Sequence, residues 1–145
     1  MRACFQFGFE AKNQGLKRSE EAAEKGVEAM PCASVELAIP YAKERIAFEQ
    51  PIAQKQAIAF MLAEMQIEVN SMRHLVWKAA SQLENGLDAT RATTLAQTYV
   101  NREVMKIADN GLQVFGGHGF IREYPVEMWY RNARALTVNE AVCAL

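Results

Sequence analysis

The chain has 145 residues, half of them apolar, with sixteen basic and seventeen acidic side chains and a formal net charge of −1. That length supports one domain with a sizeable core and is short for two, and the balanced charge excludes an electrostatic footprint for nucleic acid or an anionic membrane, so any anionic ligand has to be held by local groups. Three cysteines, Cys4, Cys32 and Cys143, lie far apart without CxxC or Cys/His spacing, which points away from structural zinc and a disulfide framework and towards free or buried thiols in a reducing compartment.

Residues 1–15 show no clean periodicity and no continuous apolar segment of the kind a secretory signal needs, so they read as an undetermined lead-in before one helical unit over 16–145. No apolar run approaches the roughly eighteen residues of a membrane span. A soluble protein of the cytoplasm or mitochondrial matrix is expected. From Leu16 the composition turns to Glu, Lys and Ala, and the pattern predicts a first helix over 16–47. Pro31 and Pro40 interrupt it. An interior proline removes one backbone bond and costs about 3 kcal/mol, so this helix is expected to be kinked or split.

Glu49, Gln50 and Pro51 form the break before a second helix predicted over 53–83. Its signal is the clearest in the chain. Ile58, Leu62, Met65, Val69, Met72, Val76, Ala79 and Leu83 alternate four and three apart, an apolar seam suited to a left-handed bundle. Asn85 and Gly86 end that helix, and Asp88 is the expected N-cap of a third. The third helix carries Ala96, Val100, Val104, Ile107, Gly111 and Val114 on one face and Leu95, Tyr99, Ala108, Leu112 and Phe115 on the next. Such breadth implies two packing partners, either neighbouring helices or another subunit. The third helix stops at Gly116-Gly117, with Gly119 close behind, where backbone can turn sharply or approach a ligand. Pro125, followed by Glu127, suits the start of a short fourth helix over 126–136. The predicted fold is all-α, an antiparallel four-helix bundle.

The string Gln113-Val114-Phe115-Gly116-Gly117-His118-Gly119-Phe120, then Glu123-Tyr124-Pro125-Val126-Glu127 and Arg131-Asn132-Ala133-Arg134, is far more specific than a lone Gly-Gly bend. Together with Tyr41-Ala42-Lys43-Glu44-Arg45 and the segment from Gln56 to Met65, it resembles the C-terminal helical domain of the FAD-dependent acyl-CoA dehydrogenases over residues 38–140. The resemblance implies an oxidoreductase and flavoprotein of fatty acid metabolism that carries out α,β-dehydrogenation of an acyl-CoA thioester. It also implies that Arg45, Phe48 and Gln56 contact FAD held mainly by a neighbouring subunit. Gln113, Val114, Phe115, Gly116 and Gly117 would meet the cofactor's adenosine and diphosphate portion. A guanidinium offers a diphosphate a fork of donors, and glycines let backbone N–H groups approach it. Glu140 falls at the place of the family's catalytic base, which removes the α-proton while the flavin takes hydride from the β-carbon, and the backbone N–H there polarises the thioester carbonyl. Because the family's bundle follows an N-terminal helical domain and a β-domain, turnover is expected to need other domains or chains.

Read without the resemblance, Arg45 is a helix C-terminal cation, Gln56 an exposed amide and Glu140 a carboxylate near a chain end. The chain also departs from the family pattern. Glu49 stands where the family has Gly, and its side chain opposes an easy turn with φ > 0. Asn132 replaces the usual Asp, and Ala141-Val142 replace Gly-Thr. These changes keep open an alternative, a non-catalytic oligomerisation or scaffold bundle derived from such an enzyme. His74 and His118 are assigned no role, and the seven methionines read as core filling. Expected partners are an acyl-CoA substrate and either further copies of the chain, as a homodimer or homotetramer, or a chain supplying the missing domains.

Overall fold

In the computed structural model the described residues are 29–143, with side-chain detail over 30–138. The lead-in over 1–15 and the first part of the first predicted helix lie outside them. Helix α1 (Ala29–Glu44) continues through Pro40, so the expected split does not occur there, while Pro31 falls in its first turn, at the edge of the described residues. Glu36 and Pro40 are both exposed, which leaves the carbonyl that loses its partner on the solvent side of the helix. The helix ends three residues before the predicted boundary because the chain turns into a short antiparallel hairpin. In it β1 (Ile46–Ala47) pairs with β2 (Gln50–Pro51), Ile46 opposite Pro51 and Ala47 opposite Gln50. This hairpin has no precedent in the helical periodicity. A 3-10 turn (Ile52–Gln54) then delivers the chain to α2 (Gln56–Glu84), which therefore begins later than predicted.

Helix α3 (Thr90–Phe115) follows a short loop. Asp88 caps it from two residues outside, its carboxylate accepting from the Thr90 backbone N–H at 3.0 Å and from the Thr90 hydroxyl at 2.6 Å. A second 3-10 turn (Gly116–Phe120) leads to α4 (Val126–Cys143), which runs well past the predicted end near residue 136. No proline or glycine follows Tyr130 to stop it. No helix among the described residues is long and apolar enough to cross a membrane.

The four helices form an all-α bundle in which α3 packs against α1, α2 and α4. This arrangement accounts for the breadth of the apolar surface of α3. One side meets the buried centre of the α2 seam, with Val100 and Ile107 packed among Met65, Val69, Met72 and Val35. Another side carries Val104 and Ala108 against Ala133 of α4. The C-terminal end brings Leu112, Val114 and Phe115 together with Ala38 and Ala42 of α1 and Val126 of α4. The seam residues Ile58, Leu62, Val76 and Leu83 are only partly buried, whereas Met65, Val69, Met72 and Ala79 are buried. Cys32 is half-buried, its Sγ accepting a hydrogen bond from the Arg73 guanidinium at 3.2 Å.

Helices α1 and α3 approach closely at Ser34 and Gly111. A Cβ added at Gly111 would lie 2.2 Å from the Ser34 Oγ and 3.7 Å from the Met65 Cε. Ser34 is itself buried, so the overlap is relieved only by a rotamer change or by separating the helices. Gly111→Ala is accordingly expected to lower the free energy of unfolding by about 1–3 kcal/mol, measured by chemical denaturation.

A second contact ties α2 to α3 through polar groups. The Tyr99 hydroxyl donates a short hydrogen bond to the Glu68 carboxylate. That bond, followed by partial burial and the negative charge of Glu68, raises the Tyr99 hydroxyl above its ordinary value of 10.0. The neutral hydroxyl is the form that donates, so the bond's stabilisation is fully present below pH 10 and is lost as pH rises through the raised value. Because the pair is accessible to water, Tyr99→Phe should cost only about 0.5 kcal/mol at neutral pH. The difference between the two proteins should narrow as pH climbs above 10, read from denaturation midpoints across that range.

Candidate functional site

The ends of α1 and α3 meet at a cluster of aromatic rings. The Tyr41 ring stacks on Phe115 with centroids 4.0 Å apart and planes 20° from parallel. Tyr124, in the loop before α4, meets Tyr41 edge-on at 5.7 Å and lies 4.9 Å from Phe115. The Tyr41 hydroxyl lies 2.9 Å from the His118 Nδ1 and 3.4 Å from the Phe115 carbonyl oxygen. One tyrosine thus fastens the last turns of α1 to the bend that ends α3.

Arg45 follows one turn after Tyr41. Its backbone N–H donates to the Tyr41 carbonyl at 2.8 Å, and its carbonyl accepts from the Ile52 N–H at 2.9 Å, so the main chain is held on both sides. The Arg45 side chain is exposed and makes no hydrogen bond or ion pair among the described residues. Across from it, α3 ends at Gly116 with φ +56°, in the left-handed region where glycine is favoured. A Cβ placed at Gly116 or Gly117 would meet no protein atom within 4 Å, so this backbone faces open space. The result is an open cleft of about 380 Å³ lined by Tyr41, Arg45, Ile52, Val114, Phe115, Gly116, Gly117 and His118. Its lining contains a guanidinium, an imidazole, a phenol and exposed main chain, and no carboxylate among the described residues. Such a surface suits an anion with an apolar or aromatic extension.

The structure therefore brings Arg45, Val114, Phe115, Gly116 and Gly117 to one place, while the other sequence-predicted residues surround it. Gln56 is the exposed first residue of α2, and Gln113 is exposed on the last turn of α3; neither lines the cleft. Phe48 stands at the hairpin tip, 89% exposed, with the Lys55 ammonium 5.6 Å from its ring centroid. Glu140 falls in the last turns of α4, and its side chain lies outside the described ones. Sequence reasoning passed over three lining residues, Tyr41, Ile52 and His118. Tyr41 was legible only as part of a motif, and His118, assigned no role, is half-buried in the cleft wall with one ring nitrogen engaged. The spacing between α1 and the glycine bend gives no sign of that contact.

The hairpin also corrects the expectation for Glu49. Phe48 and Glu49 have φ of +54° and +68°, so the turn with φ > 0 forms despite the side chains. Two left-handed central residues are the requirement of the tight two-residue hairpin turn, and closure of the flanking pairs enforces it. Arg131, next to Asn132, pairs with Glu127 one turn earlier at 2.9 Å.

Comparison with known proteins agrees with this architecture. The chain belongs to the acyl-CoA dehydrogenase family, whose C-terminal domain matches residues 18–140. It is 42% identical over 103 residues to subunit CarC of the caffeyl-CoA reductase-Etf complex of Acetobacterium woodii, covering 71% of this chain and 27% of that protein. It is 36% identical over 108 residues to an acyl-CoA dehydrogenase of Bacillus subtilis, covering 74% of this chain and 28% of the relative. The butyryl-CoA dehydrogenase structure from Megasphaera elsdenii superposes with a TM-score of 0.73 at 31% identity, over 76% of this chain and 29% of that one. The chain thus spans under a third of the length of these relatives.

The left-handed geometry at Glu49 predicts a stabilising substitution. Glu49→Gly relieves the Cβ clash of a positive φ and should raise the free energy of unfolding by about 0.5–1 kcal/mol, net of glycine's greater freedom in the unfolded chain. Thermal or chemical denaturation of the two proteins provides the comparison.

Proposed function

We propose that this chain is the C-terminal domain of a FAD-dependent acyl-CoA dehydrogenase, and that turnover requires further domains or chains. The observation that supports this most directly is the carboxylate-free cleft where Arg45 faces the open main chain of Gly116 and Gly117. An exposed guanidinium with no hydrogen-bond or ion-pair partner among the described residues, beside a glycine bend with no described atom close to it, fits the diphosphate portion of FAD. Val114 and Phe115 offer the apolar wall beside it, and the exposed Phe48, Gln56 and Gln113 are placed to meet parts of the cofactor outside the cleft. When bound, FAD supplies the hydride acceptor for oxidation of a saturated acyl-CoA between its α and β carbons.

The chain's own contribution to that chemistry is positioning and one proton. Arg45 binds and orients the cofactor by charge and hydrogen bonding, and the glycine bend, whose Gly116 N–H is held by the Gln113 and Leu112 carbonyls, lets the cofactor approach the main chain. Glu140 takes the α-proton of the acyl thioester, leaving a planar double bond once hydride has departed from the β-carbon. The N–H of residue 140 donates to the thioester carbonyl, where enolate-like charge develops. A dry site is needed for both steps, and further domains or chains would close it.

A second reading, a bundle used for assembly, draws on the outward face of α2. Phe60, Ile67 and Trp77 are exposed there at helical spacing, beside exposed Ala63 and His74. Native mass spectrometry of the purified chain separates the readings, because one spectrum reports assembly state and any FAD retained. The dehydrogenase reading predicts a flavin-bearing species and loss of the flavin mass in Arg45→Ala; a flavin-free oligomer favours the assembly reading. In an assembly with the remaining domains, Glu140→Gln should abolish flavin reduction by acyl-CoA and leave flavin bound. Undiminished reduction would remove Glu140 from the base role.

A further inference from the structure

Resting on the cofactor reading above, we infer that His118 is a ligand-binding residue of the cleft, donating from Nε2 to a phosphate-bearing ligand and gaining charge as pH falls. The Tyr41 hydroxyl has one proton and two acceptors in reach, the His118 Nδ1 at 2.9 Å and the Phe115 carbonyl oxygen at 3.4 Å. With a neutral imidazole, the hydroxyl donates to Nδ1, which places the ring proton on Nε2. With a charged imidazole, Nδ1–H donates to the Tyr41 oxygen and the hydroxyl turns its own proton to the Phe115 carbonyl. The ring keeps the same anchor in both states. Nε2–H is therefore a donor on either side of the titration, and Nε2 has no hydrogen-bond partner among the described residues.

The surroundings determine what that donor serves. His118 lines the cleft with Arg45 and the open glycine backbone, and no carboxylate shares the lining. The groups facing it are Tyr41 and Arg45 from the end of α1, apolar Val114 and Phe115 from α3 and Ile52 from the first 3-10 turn. On the side of α4, Tyr124 contacts Tyr41, while Arg122 and Glu123 are exposed outside the lining. No acidic side chain among the described lining residues competes for the imidazole, so an anionic ligand is the charge that its protonation favours. A protonated imidazole adds a full positive charge to this donor, so the charged ring holds a phosphate more tightly than the neutral one.

FAD is a suitable probe because its diphosphate does not titrate between pH 5.5 and 8. Isothermal titration of the chain with FAD at those two pH values should show roughly tenfold tighter binding at the lower one. In His118→Ala the affinity should fall and this pH dependence should largely disappear; the other histidine, His74, remains in both proteins. Tyr41→Phe keeps the ring size and removes the hydroxyl, and should weaken FAD binding by freeing the imidazole. Nitrogen NMR of His118 adds a readout independent of binding, with the proton on Nε2 expected at pH 8. FAD binding of equal strength and equal pH dependence in His118→Ala would overturn this role while leaving the cofactor reading in place. A proton on Nδ1 at pH 8 would overturn it as well. Absence of FAD binding by the unsubstituted chain at both pH values would overturn the cofactor reading and the His118 role together.

Discussion

The stacked contact between Tyr41 and Phe115 is the interaction on which the rest of the site depends. Pairs of aromatic rings contribute about 0.5–1.5 kcal/mol beyond the area they bury, which is modest against the stability of a domain. Its value here is positional. It brings together the last turn of α1 and the last residue of α3, segments separated by more than seventy positions in sequence. Arg45 is one turn beyond Tyr41 and Gly116 is the residue after Phe115, so joining the two rings places a cation opposite open main chain. Tyr124 extends the cluster to the loop before α4, and the Tyr41 hydroxyl reaches into the bend itself.

Helix α3 turns that local contact into a rigid frame. It is the element shared by all the helix packing described, and its buried residues face α1, α2 and α4 in turn. At Gly111 it comes so near α1 that no side chain beyond hydrogen fits without rearrangement. That approach lies one helical turn before Phe115, so the same close packing that binds the helices also sets the distance across the cleft. Buried charge is sparing: Glu103 is the buried ionisable residue among the described ones, and the adjacent Arg102 meets it at 2.7 Å.

Much of the fold was legible because its signals are local and repetitive. The seam through Met65, Val69 and Met72 repeats at helical spacing, and the wide apolar face of α3 announces a helix with several neighbours. The glycine bend and Pro125 mark where α3 yields to α4. Boundaries were harder. The end of α1 depends on hairpin pairing between Ile46 and Pro51, and the extent of α4 depends on the absence of a stop signal, neither of which leaves an apolar repeat. Glu49 misled because propensity opposes a positive φ there, and tertiary closure of the turn overrode it. The site was legible in part through motif: Arg45 and the Gly116-Gly117 pair do share a cleft. His118 was not, because its significance comes from a contact with a tyrosine on another helix.

In the proposed function, the end of this bundle where α1 and α3 meet receives the diphosphate portion of a cofactor. A heteronuclear NMR titration of the chain with ADP, which carries that portion without the flavin, tests it most directly at residue resolution. The account predicts that the amides of Gly116 and Gly117 shift first and most, together with Arg45 and the hairpin that follows it. Saturating shifts confined to another face of the bundle, or none at all at millimolar ADP, would contradict it.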